Sequence, residues 1–426
     1  MDYSHYQLRR QKLLSELKTG DVVILQTAPE VLRNADTHYP YRPGSDFYYL
    51  TGFDEPEAIA VLIAGKKSEF ILFNRPNDPV REQWEGPRSG QSKACSLYGA
   101  DAAYPIGEFQ NRLSELVKNQ KRIFCLAKDE DLLESINSSI SNSAVFEFQD
   151  LASILYEMRL IKDEVELDLM RAAASISAHA HRKAMQSCRA GIKEYELAAV
   201  IEYGFKRHGC EALAYPSIVA AGSNACVLHY TSNQSTMQSN DLVLVDAGGE
   251  YHYYASDITR TYPVSGVFST EQRAIYELVL DTQMEVIASI RAGRSRGLMQ
   301  ELSENLITQG LLDLGLLKGD LKELLASRAF AQFYMHRIGH WIGLDVHDVG
   351  VYQIEGQWRE LKAGMVLTIE PGIYISPNSE GVDPKWWGIG VRIEDDILVT
   401  EEGCEVLSVE APKSVGEIER LMAKNA

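Results

Sequence analysis

What this 426-residue chain lacks narrows its role before any motif is considered. It has no apolar run approaching the roughly 20 residues that a bilayer-crossing helix needs, so no membrane partner is expected. Its six cysteines (Cys95, Cys125, Cys188, Cys210, Cys226 and Cys404) are scattered singly, without the spacing of a zinc knuckle or a disulfide framework, and read as reduced packing residues. Basic charge is also short. The 42 Lys and Arg face 60 Asp and Glu, and a net charge of -18 without Lys/Arg clusters opposes binding to nucleic acid or an acidic membrane. The opening MDYSHYQLRRQKLLSELKTG has basic residues but no apolar stretch behind them. It reads as an amphipathic helix closed by Gly20, not an export signal, and a cytoplasmic protein is expected.

The composition that remains, 45% hydrophobic and 24% charged, is that of a globular enzyme, and the length suggests two domains. Strand-like runs (DVVILQTA, AIAVLIAG, EFILFNR, RIFCLA) alternate with helix-compatible stretches, which predicts a small α/β domain over residues 1–162 with GKKS as a hairpin turn. At Asp163 the pattern changes to long helices. Asp163 with Glu166, and Ser269 with Gln272, have the spacing of capping boxes, and KEYELAAVIEYGFKRHG predicts a helix between them. The runs DLVLVDAGG, SDITRTYPV, GMVLTIEPGIYI and GIGVRIEDDILVT predict strands. Residues 163–426 therefore read as an α+β domain with helices on a mostly antiparallel sheet.

Within that domain, HRIGHWIGLDVHD holds His336, His340 and His347. Two histidines four apart suggest a zinc-protease helix, but Arg337, Ile338 and Gly339 leave no glutamate between them, and Gly339 and Gly343 weaken a helix. Acids inside apolar strands offer a better explanation. Leu242, Leu244 and Asp246 share one face of a strand. Asp257 shares a face with Thr259 and Thr261 on a run that can fold back beside it, while Glu370 ends VLTIE and Glu394 follows Arg392 in GVRIE. Taken singly, each acid reads as a solvated edge residue and each histidine as a hydrogen-bonded core residue. Four carboxylates turned into one apolar pocket need cations, because an uncompensated buried carboxylate costs several kcal/mol or stays protonated. Two divalent ions match the four charges and leave His340 as a neutral nitrogen ligand. Oxygen-rich ligation suits Mn²⁺, with Zn²⁺, Co²⁺ and Fe²⁺ as open alternatives.

With these residues in view, the chain resembles the Xaa-Pro aminopeptidases (aminopeptidase P), metallopeptidases of the pita-bread fold. YPYRPGSDFYYLTGFDEPEA resembles the family's N-terminal part; VLHYTSN, VDAGGEYHYYASDITRTYP, HWIGLDVHDVG, TIEPGIYI and GIGVRIEDD resemble its catalytic part. The resemblance implies an α/β first domain and a pita-bread catalytic domain with two metal ions. Asp257 and Glu394 would bridge the metals, Asp246 would complete one site, and His340 with Glu370 the other. His229, His336, His347, Tyr374 and Arg392 would contact substrate; Glu370 would carry a proton and His347 would face the oxyanion. The implied reaction is release of the first residue from peptides with proline second. Prolidase, which cleaves Xaa-Pro dipeptides, and a non-catalytic peptide-binding protein of the same fold are the alternatives. Trp84, in a loop by its composition, reads as surface anchoring; the family analogy instead has it crossing a subunit contact in a homo-oligomer, dimer or tetramer.

Overall fold

A computed structural model describes residues 3–118, 120–139 and 146–423. The chain divides into two compact units, Met1–Arg159 and Leu160–Ala426, three residues before the expected division. The reason lies in what residues 160–162 touch. Leu160 packs in a cluster with Trp341 and Met365, and the Lys162 N–H donates to Gly364 O at 2.8 Å. Lys162 Nζ also pairs with Asp348 at 2.9 Å, both side chains being buried.

The first unit is built on a six-stranded mixed sheet. Its strands are β1 (Asp21–Gln26), β2 (Ile59–Ile63), β3 (Glu69–Asn74), β4 (Ala102–Pro105), β5 (Arg122–Cys125) and β6 (Glu147–Asp150), in the order β4-β3-β2-β1-β5-β6. GKKS lies in the turn between antiparallel β2 and β3, as expected, whereas β1 and β5 run parallel. The helix Ser4–Ser15 departs from the expected amphipathic pattern, because its buried side holds Arg9 and Arg10 while Leu8 is 63% exposed. Those arginines donate to Tyr49 O, Leu50 O and Tyr98 O, so partnered charge replaces apolar burial. Trp84, expected in a loop, lies in the short helix Pro79–Glu85, capped by the Asp78 carboxylate.

In the second unit, α1 (Glu164–Ser187) and α3 (Thr270–Ala288) begin at the capping boxes Asp163/Glu166 and Ser269/Gln272, with α2 (Glu194–Arg207) between them. Their apolar faces meet strands in one core that includes Met185, Phe205, Val243, Tyr276 and Val391. Strand β8 (Leu242–Asp246) lies between β7 (Ile218–Ala221) and β9 (Thr259–Pro263), and every strand pair of this unit's described residues is antiparallel. All five β8 residues are buried, so the strand is covered on both faces, not on one.

Two of the strand runs are broken, the first at the strand end expected at Glu370. GMVLTIEPGIYI gives β10 (Val366–Ile369) and β11 (Gly372–Ile375), and GIGVRIEDDILVT gives β12 (Ile389–Arg392) and β13 (Asp395–Val399). β10 pairs with β13, while β11 pairs with β12 in a separate sheet. Glu370 and Glu394 stand at these two breaks.

Candidate metal centre

Strand register brings the acids together. Asp246, the last residue of β8, lies opposite Thr259, and Asp257 precedes that threonine by two residues. Thr259 also forms a bridge with Glu394, which carries the second strand break to the same point. His340 arrives on irregular backbone zipped to β10: its N–H donates to Thr368 Oγ1 at 3.1 Å, the Thr368 N–H donates to His340 O at 2.8 Å, and the Glu370 N–H donates to Ile338 O at 2.8 Å. This approach requires glycine, because a Cβ on Gly339 would sit 1.9 Å from Thr368 O.

A cavity of about 140 Å³ is lined by Asp246, Asp257, Glu370, Glu394, His229, His336, His340, His347 and Arg392. Tyr374, the remaining expected contact residue, is buried behind it. Its hydroxyl receives Arg392 Nη1 at 3.0 Å and lies 2.8 Å from His336 Nε2. His340 Nδ1 faces Trp341 O at 3.0 Å. Donation there turns Nε2 toward Asp257 Oδ2 at 3.3 Å, Glu370 Oε1 at 3.6 Å and Glu394 Oε1 at 3.9 Å. Asp257, His340 and Glu394 offer ligand atoms within 4.8 Å of one another. Asp246 is turned aside, paired with Arg392 Nη2 at 2.6 Å.

Charge is unbalanced here, with four carboxylates against one guanidinium. Burial, then the Asp246 charge, pushes the Asp257 carboxyl above its ordinary range. Burial and the Asp257 and Glu370 charges push Glu394 well above, and Glu370 is raised chiefly by burial. Burial alone would discharge His340, but its bond to Asp257 and the charges of Asp257 and Glu370 outweigh this and lift it to about 9. A protonated imidazole thus supplies one positive charge among these acids. His336 is the opposite case: burial and Arg392 lower it to about 4, which leaves a neutral ring. Burial and His340 lower His347 as well.

Tyr215, which sequence reasoning missed, sharpens the fit to metal. Its hydroxyl lies 2.7 Å from Asp246 Oδ1 and 2.5 Å from Asp257 Oδ1, yet a phenol has one hydrogen for two carboxylates. Thr259 Oγ1 donates to Glu394 Oε2 at 2.7 Å, and Asp396 accepts the Asp257 N–H at 3.1 Å. Oriented oxygen donors, an excess of negative charge and one imidazole with Nε2 inward form a donor set suited to hard divalent cations. No spacing in AYPS marks Tyr215; only the register of β7 against β8 places it.

Comparison with known proteins agrees with this chemistry. The family model for metallopeptidase family M24 matches residues 168–401, and that for the aminopeptidase P N-terminal domain matches residues 6–124. The chain is 42% identical to the Xaa-Pro aminopeptidase of Escherichia coli (strain K12), over 98% of this chain and 97% of that one. The aminopeptidase PepP structure from Pseudomonas aeruginosa superposes with a TM-score of 0.97 at 48% identity, covering 100% of this chain and 99% of the other. Aminopeptidase P from E. coli with the inhibitor Pro-Leu gives 0.96 at 41% identity, with the same coverage. The expected architecture, an α/β unit followed by a pita-bread unit, is the one these structures share. This chain therefore belongs to metallopeptidase family M24 and carries the N-terminal domain of aminopeptidase P.

Proposed function

We propose that this chain is a metallo-aminopeptidase that hydrolyses the first peptide bond of substrates with proline in second place. The observation that carries the reading is the crowding of Asp257, Glu370 and Glu394 around His340 Nε2, joined to the Xaa-Pro aminopeptidase relatives. In this reading Asp246, Asp257, His340, Glu370 and Glu394 would hold two divalent ions. Such ions, Mn²⁺ by preference, supply Lewis acidity and lower the pKa of a water molecule.

The protein's own groups then divide the work. Glu370 faces the cavity and is the group placed to take a proton from water and deliver it to the leaving proline nitrogen. His347, with its ring centroid 4.2 Å from that of His340, is the donor for the oxyanion. A neutral His336, held by Tyr374 and turned by Arg337 O, offers an uncharged ring face to proline, and His229 lines the same wall. Arg392 fixes Asp246 and Tyr374 together. The free α-amine of the substrate would pair with a ligand aspartate, which confines cleavage to the first bond.

The wider setting follows the same reading. The helix carrying Trp84 has no buried residue and is held by Asp78, Arg75 and Arg88, yet it displays an indole that is 85% exposed. This supports a homo-oligomer in which Trp84 meets a second copy. Among the described residues no helix is long and apolar enough to cross a membrane, and we place the protein in the cytoplasm. The test compares Xaa-Pro-Yaa tripeptides with Xaa-Pro dipeptides, using chelated and Mn²⁺-restored protein. The reading requires release of the first residue from tripeptides by the restored form alone; faster turnover of dipeptides would make it a prolidase, and no release from either would make it a binding protein.

A further inference from the structure

Breaking two strands to free Glu370 and Glu394 leaves main-chain carbonyls at the breaks that must still be paired, since a buried carbonyl without a partner is costly. One side chain serves both breaks. Gln283, on α3 and fully buried, directs its amide nitrogen to Ile369 O and Ile393 O, each at 3.1 Å, and to Asp395 Oδ2 at 3.0 Å. Ile369 and Ile393 are the residues immediately before Glu370 and Glu394. The amide cannot flip without loss, because Lys413 Nζ donates to Gln283 Oε1 at 2.9 Å and to Asp395 Oδ2 at 2.8 Å. Arg260 completes the frame from the other side, its Nη1 donating to Glu394 O at 2.6 Å and to Thr259 O at 2.9 Å.

We propose that Gln283 is a positioning residue that sets the separation of Glu370 and Glu394, and through it the protein's capacity to hold two divalent ions as a coupled pair. This rests on the assignment of those glutamates as ligands. The geometry is specific: one planar amide bonded to both backbones fixes their distance, which separate partners for each would not. Gln283 does not line the cavity, so its effect passes through the two main chains and through Asp395, the residue after Glu394. Groups that orient metal ligands in this way typically change metal affinity about 10- to 100-fold when removed.

The experiment measures Mn²⁺ binding by calorimetry and the electron paramagnetic resonance spectrum of the loaded protein, for wild type and Gln283→Met. Methionine has the same reach but no donor. Wild type should bind two ions with a spin-coupled spectrum. The variant should unfold at a lower temperature than wild type when metal-free, because Ile369 O and Ile393 O lose their donor, and beyond that loss it should bind at least one ion about 10- to 100-fold more weakly and show the six-line signal of isolated Mn²⁺. Lys413→Met, which removes the group orienting the amide and one of the partners of Asp395 but leaves Gln283 in place, should give a smaller loss of the same kind, and it decides the matter should the first variant fail to fold. Wild-type affinities and coupling in a folded Gln283→Met protein, or in Lys413→Met where that variant must serve, overturn the inference. A wild type that binds no pair of ions overturns instead the ligand assignment beneath it.

Discussion

Replacing Asp257 by asparagine removes one negative charge while keeping the side chain's shape, and the expected effect differs between the metal-free and metal-loaded protein. Without metal, Asp257 attracts protonated His340 across 3.3 Å and repels Asp246, and Glu394 lies in the same cluster. At an effective dielectric constant of about 20, unit charges about 4 Å apart interact by about 4 kcal/mol. The attractive and repulsive contributions are of similar size and opposite sign, so metal-free stability should change little. With metal the balance is one-sided, because one of the proposed ligands is lost. If affinity falls about 100-fold, then at a metal concentration about 100 times the wild-type Kd the wild type gains about 2.7 kcal/mol and the variant about 0.4 kcal/mol. For a unit of this size the difference amounts to a gap of roughly 5 to 9 °C in Tm. Thermal unfolding followed by circular dichroism, with chelator and with Mn²⁺, reads it directly. An equal rise in Tm for both proteins would refute the reasoning.

His181 supplies a pH test beside the centre, since its partner Ala247 directly follows Asp246. It is fully buried against Ala247 O, and burial lowers it from 6.5 to about 4. The unfolded chain therefore binds the proton first as pH falls, so stability is intact above 6.5 and declines toward pH 4. The loss is about 3 kcal/mol, from 2.5 pH units at about 1.36 kcal/mol each. Urea titrations should show this slope in wild type and not in His181→Gln; parallel profiles would sink the claim. Gly339→Ala should cost about 3 kcal/mol in the same assay and displace His340, since the new methyl meets Thr368 O; wild-type stability would contradict the close approach. Arg392→Lys keeps the charge but cannot reach Asp246, Thr259 and Tyr374 together, so kcat/KM should fall about 10- to 100-fold; an unchanged value would show that charge alone suffices.

The sequence made the acids legible because a carboxylate among leucines conflicts with its surroundings, and such conflicts concentrate where function sits. Capping boxes were legible for a related reason, since Asp163/Glu166 and Ser269/Gln272 satisfy orphan N–H groups within four residues. The first strand break was legible as the strand end at Glu370, but the second was not. GIGVRIEDDILVT read as one strand, and only the exchange of partner between β10–β13 and β11–β12 shows where it stops. Long-range partners stayed hidden as well: Tyr215 reaches Asp257 across 42 residues, and Gln283 reaches Ile393 across 110. The buried Arg9 and Arg10 escaped because backbone carbonyls far along the chain make their burial tolerable.

The most direct test is anomalous diffraction from crystals soaked in Mn²⁺, collected at the manganese absorption edge. Two peaks a few ångströms apart, enclosed by Asp246, Asp257, His340, Glu370 and Glu394, are the expected result. No peak at this cavity, or peaks held by other residues, would contradict the account.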